Sequence, residues 1–114
     1  MGRGFDSLLR HMVIFHKLVR DRIAKIIEKQ GKKPVVHVAT EEEYYHELKA
    51  KLIEEANEYI KSGDMEELAD LLQVIYTICE YKNYPRETLE ELRRKKNTEK
   101  GKFLDRIILD EVKE

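Results

Sequence analysis

Tryptophan is absent from this sequence, cysteine occurs once, proline twice and glycine five times. With Cys79 alone no intramolecular disulfide can form, so the chain does not read as a small secreted domain held by disulfides. No apolar run approaches the roughly 20 residues that span a bilayer, and the most apolar early stretch, Met12 to Phe15, is too short for the core of a signal peptide. Neither sign of charge dominates: 22 Lys and Arg stand against 23 Asp and Glu, a formal net charge of −1. That balance argues against a dedicated polyanion binder and against a self-repelling disordered chain. What is present is 41% hydrophobic and 39% charged sequence in 114 residues, the length of one domain. A soluble cytoplasmic protein with no membrane partner is the expectation.

Residues 1–11 show no periodicity and stop at His11-Met12, a pair that resembles a cloning junction followed by a native start. The functional domain is therefore expected over residues 12–114. Val19, Ile23, Ile26 and Ile27 recur at helical spacing before Gly31, which predicts a first helix of about 14 residues. Pro34 and the β-branched Val35, Val36 and Val38 predict a short extended segment. Thr40 followed by Glu43 has the form of a capping box, opening a long helix that Gly63 ends. Asp64 and Glu67 repeat that signature before Leu68, Leu71, Leu72, Ile75, Ile78 and Cys79 carry a third helix to about Tyr81. The short link between them makes the two helices antiparallel neighbours. Pro85 suits the start of a fourth helix over about Arg86 to Lys100, stopped by Gly101, with a short extended piece after Phe103. The fold class is all-α, four helices with short extended segments.

The informative feature is where the acids fall. Leu48, Leu52, Ala56 and Tyr59 form an apolar stripe on the second helix, and Glu55 lies inside it; Glu58 follows one turn later and Glu54 flanks it nearer solvent. On the third helix Glu67 begins the row Leu71, Val74, Ile78, with Asp70 at i+3. Each of two adjacent helices thus presents two carboxylates three residues apart near the connecting turn. Four carboxylates at an apolar interface repel and resist ionisation unless a cation compensates. An all-oxygen set suits Mg²⁺, or Mn²⁺, and no His belongs to the cluster, which speaks against zinc. The same spacing also suits a solvated helix face with Lys49, Lys51 and Lys61 as ion-pair partners. Tyr45, Tyr59 and Tyr76 have the spacing of core aromatics, and His16, His37 and His46 stand isolated. Neither a Ser, His and Asp constellation nor a glycine-rich phosphate loop is present.

Glu54-Glu55-Ala56-Asn57-Glu58 followed by Glu67-Leu68-Ala69-Asp70 resembles the EExxE…ExxD signature of the MazG-like, all-α nucleoside triphosphate pyrophosphohydrolases. His16-Lys17-Leu18-Val19-Arg20-Asp21-Arg22-Ile23 is similar to the KLVRDKI opening of a small single-domain branch, and the basic stretch Arg93 to Phe103 is similar to its run ending in G-x-F. The resemblance covers nearly all of Met12 to Val112.

It implies a Mg²⁺ site from Glu55, Glu58, Glu67 and Asp70, with Glu54 outside it or orienting the attacking water, so that Glu54, Glu55 and Glu58 are the catalytic candidates. It implies hydrolysis of the α-β phosphate bond of a nucleoside triphosphate, giving monophosphate and pyrophosphate, plausible as a house-cleaning activity. Lys17, Arg20 and Arg22, and Arg93, Lys96, Asn97 and Lys100, are the candidates for phosphate and nucleotide contacts, since carboxylates alone cannot hold so anionic a ligand. A cationic helix C-terminus favoured by the macrodipole explains the second group equally well. A homo-oligomer, a dimer at least, is implied, with no nucleic-acid partner. Two alternatives stay open: phosphoribosyl-ATP hydrolysis by the same metal chemistry, and a non-catalytic helical module that binds nucleotide or nucleic acid.

Overall fold

A computed structural model describes residues 15–114. The expected tail at residues 1–11 and the start at Met12 lie outside the described residues. Among those described the fold is all-α: four helices, α1 (Ile23–Lys29), α2 (Glu41–Ser62), α3 (Met65–Lys82) and α4 (Arg86–Lys100), with no strand. The chain divides within α3 into two compact units, one of the described residues up to Val74 and one of Ile75–Glu114.

In the first unit the helix boundaries follow local chemistry. The Thr40 hydroxyl accepts a hydrogen bond from the Glu43 backbone N–H at 3.2 Å, one of the free donors at the head of α2. The reciprocal half of the box is not made. Glu43 instead takes His37 through both carboxylate oxygens at 3.0 and 2.9 Å, and this bond, opposed by partial burial, lowers its pKa. Gly63 closes α2 at φ 70°, in the left-handed region, with its N–H donating to the Tyr59 carbonyl at 2.7 Å. Only Gly63 and Asp64 separate α2 from α3, so α3 turns straight back alongside it.

One expectation is corrected here. The first helix has 7 residues rather than about 14. The chain turns at Arg20, whose carbonyl accepts from the Ile23 N–H at 3.1 Å, and the residues before it are spent on ion pairs with α2 and α3 instead of helical hydrogen bonds. Val35 to Val38, expected as a short extended segment, lie outside any helix and pair with no strand; Val35 and Val38 are 93% and 97% exposed.

Leu48 is the most buried large side chain, and Glu55, two helical turns further on, is 9% exposed. The opposite flank of this helix pair is apolar but open. Ile53 and Ile60 on α2, and Met65, Leu68 and Leu72 on α3, are all exposed. Their i, i+7 and i, i+3, i+7 spacings place them on the flank away from Glu55 and Asp70. Tyr59, expected as a core aromatic, is 37% exposed, and Tyr45 is half-buried with the Lys49 ammonium 4.5 Å from its ring centre.

In the second unit Cys79 is buried, as its place on the third helix predicts, and Arg86 stacks 3.8 Å from the half-buried Tyr76 ring. Pro85 caps α4 and the Gly101 N–H closes it on the Asn97 carbonyl at 2.9 Å. Phe103 to Leu109 form no strand; Phe103 is 97% exposed. No helix among the described residues is long and apolar enough to cross a membrane.

Candidate metal centre

The antiparallel return of α3 brings its first two turns against the middle of α2. Glu55 lies eight residues before Gly63, and Glu67 and Asp70 lie three and six after Asp64, so the turn acts as a mirror. The result is that Glu55, Glu67 and Asp70 each offer a carboxylate oxygen within 4.8 Å of the others. Glu55 is buried and the other two are half-buried. Glu58, the fourth expected ligand, stands outside this triangle and is exposed, yet its charge still acts on both Glu55 and Glu67.

The electrostatics follow from that packing. Burial pushes the Glu55 carboxyl above its usual range; Lys51 opposes the shift, and the charges of Asp70, Glu54 and Glu58 add to it. Glu67 is raised for the same reasons, first by loss of solvent and then by Asp70, Glu58, Glu55 and Asp64. Glu54 behaves oppositely. Burial raises it, but hydrogen bonds from Lys17 and Lys51 outweigh that and leave it lowered.

Three cations reach the cluster. Lys17 donates to Glu54 Oε2 at 2.8 Å, Lys51 donates to Glu54 Oε1 at 3.0 Å, and Arg20 Nη2 donates to Asp70 Oδ1 at 2.8 Å. Lys51 also stands 3.8 Å from Glu55, and its side chain is only 16% exposed. Sequence reasoning placed Lys17 and Arg20 on phosphate and saw Lys51 only as a partner on a solvated face. The i, i+3 and i, i+4 offsets from Lys51 to Glu54 and Glu55 were the available signal. Arg22 lies apart from the carboxylates, exposed at the N-cap of α1.

The remaining candidates belong to the second unit. Arg93 is held by Glu90 through Nε at 3.0 Å and Nη2 at 2.7 Å, a fork that raises the arginine and lowers the glutamate. Lys96 and Lys100 are exposed on α4 and Asn97 is half-buried.

The donor set fits a hard divalent cation. Three carboxylate oxygens from two rigid helices converge, the central acid resists ionisation as it stands, and a divalent charge would offset that resistance. Compared with family models, curated proteins and solved structures, the chain matches none.

Proposed function

We propose that this chain is a MazG-like nucleoside triphosphate pyrophosphohydrolase dependent on Mg²⁺ or Mn²⁺. The observation that carries the reading is the convergence of Glu55, Glu67 and Asp70 within 4.8 Å, with the buried member pushed up in pKa among its neighbours' charges. A carboxylate buried among other carboxylates is costly to keep without a compensating cation, which makes this cluster a candidate site. Glu55, Glu67 and Asp70 would hold the ion, with Glu58 beside them. Bound there, it supplies charge neutralisation at the phosphate oxygens and a more acidic water.

This chain's own residues do the rest. Glu54, kept ionised by Lys17 and Lys51, is the group placed to orient the attacking water as a hydrogen-bond acceptor. Lys17, Arg20 and Arg22 come from one segment and supply positive charge for the triphosphate. Resemblance assigns Arg93, Lys96, Asn97 and Lys100, on α4 of the second unit, to phosphate and nucleotide contacts. A cytoplasmic location suits a chain whose one thiol, Cys79, is buried and unpaired.

We infer further that the protein works as a homo-oligomer, a dimer or larger. Only Leu48, Val74 and Cys79 are buried apolar residues among those described, while the flank of Ile53, Ile60, Met65, Leu68 and Leu72 stays open. So small a core leaves the helix pair short of burial by itself.

The deciding experiment is pyrophosphate release from ordinary and damaged nucleoside triphosphates and phosphoribosyl-ATP, with Mg²⁺ and with chelator. Monophosphate and pyrophosphate should appear only with metal, and Glu55→Gln should remove at least about 100-fold of the rate, since groups that merely support a ligand cost 10- to 100-fold. No release from folded protein on any of these substrates would overturn the reading.

A further inference from the structure

Asp70 is already paired. Arg20 Nη2 sits 2.8 Å from Asp70 Oδ1, on one of the three carboxylates that converge within 4.8 Å. Lys17 is placed differently, bonded to Glu54 outside that triangle, and Lys51 also hydrogen-bonds Glu54 while standing 3.8 Å from Glu55, so Arg20 alone among the three donates a hydrogen bond at 2.8 Å to a member of the triangle. We propose that Arg20 is an exchangeable counter-ion of the metal centre, one that competes with the divalent cation for Asp70 and, once displaced, turns its guanidinium to the anion bound there. The proposal rests on the metal-centre reading above and concerns how that site is loaded.

Three observations support an exchange rather than a fixed brace. The Arg20 side chain is 59% exposed and that of Asp70 38%, so their pair is solvent-screened and inexpensive to break. Residues 17–20 lie outside any helix, anchored by side-chain ion pairs and the turn into α1, so the guanidinium can move without unwinding an element. A divalent ion on the same carboxylate brings twice the charge, and the two cations repel each other at that distance. An arginine fork released beside the centre matches a phosphate's paired oxygens better than it matches the single Asp70 oxygen it holds. By linkage, an anion that captures Arg20 also tightens the metal.

The test is calorimetric titration of Mn²⁺ into the full chain without nucleotide. Arg20→Gln should bind Mn²⁺ about two- to fivefold more tightly than the parent, the range an exposed ion pair spans. Arg20→Lys, which keeps the charge, should fall between them. Lys29→Gln, which removes one charge at the far end of α1, should leave the affinity within about 1.5-fold, because exposed charges beyond a Debye length are screened. In saturating Mn²⁺, inorganic pyrophosphate should bind Arg20→Gln several-fold more weakly than the parent. Unchanged or weaker Mn²⁺ binding by Arg20→Gln overturns the competition, and unchanged pyrophosphate binding overturns the transfer. Mn²⁺ uptake by neither protein overturns the metal centre itself, and the exchange with it.

Discussion

Lys17 reaches across 37 residues of sequence to donate to Glu54 at 2.8 Å, sharing that carboxylate with Lys51 from the preceding helical turn. One acid in a crowded cluster is thereby kept ionised while its neighbour Glu55 is pushed the other way. Two adjacent glutamates on one helix have different chemical characters because one takes hydrogen bonds from two lysines while the other is more buried and stands among carboxylates.

The two lysines should differ in weight. Lys17→Ala removes a pair whose side chains are each 32% exposed and should cost no more than about 0.5 kcal/mol. Lys51→Ala removes a 16% exposed ammonium standing between Glu54 and Glu55, and should cost about 1 to 2 kcal/mol in chelator. Urea unfolding measures both, and added Mg²⁺ should recover most of the Lys51→Ala loss. Equal costs would mean that the cluster does not depend on its buried cation.

Stability should respond to pH with a defined sign. Glu55 and Glu67 have raised folded-state values, so their contribution is fully present below the unfolded value of about 4.3 and is lost as pH rises through the folded values. Glu54, lowered, contributes above that unfolded value and loses its contribution as pH falls through the folded one. In chelator the thermal midpoint should therefore decline from about pH 4.5 toward 7 less steeply in Glu55→Gln than in the parent. Mg²⁺ should stabilise more at pH 7 than at pH 5, because ligands must shed protons to bind. Parallel parent and variant profiles would remove Glu55 as the source.

The open apolar flank predicts its own assay. Ile53→Glu together with Leu72→Glu places charges among side chains that are 64% and 46% exposed in the single chain. Light scattering should show the parent as a dimer or larger and the double variant at monomer mass. A monomeric parent would mean that the flank is not an interface.

Helix ends offer a control independent of the site. Thr40→Ala loses the hydroxyl that caps α2, and Gly63→Ala forces a Cβ into a left-handed φ of 70° with no neighbour within 4 Å to clash. Each should cost about 1 kcal/mol by urea midpoint, the first from a lost hydrogen bond and the second from backbone strain alone. Mg²⁺ should not rescue either.

Helix type and boundaries were legible wherever a local rule acts. Thr40, Gly63, Pro85 and Gly101 mark the ends of α2 and α4 where the structure has them, because caps and positive φ depend on a few neighbouring residues. Periodicity failed at Val19 and Arg20, where apolar spacing suggests helix but the backbone turns at Arg20 before α1. The partners are tertiary: this segment pairs with Glu54 and Asp70, distant in sequence, and no window of adjacent residues contains them. Val35 to Val38 show the converse, β-branched residues with no neighbouring strand to pair with.

The sequence by itself determined an all-α chain, a turn that folds α3 back on α2, and carboxylates on both sides of that turn, since helical period and capping are local properties. Only the tertiary structure decided which acids meet. Glu55, Glu67 and Asp70 converge while Glu58 stands beside them outside that triangle, and Lys51, Lys17 and Arg20 arrive as counter-charges of the cluster. The rotation of each helix about its axis settles that choice, and that rotation follows from which apolar side chains are buried, Leu48 foremost, a property of the packed helices that no local window contains.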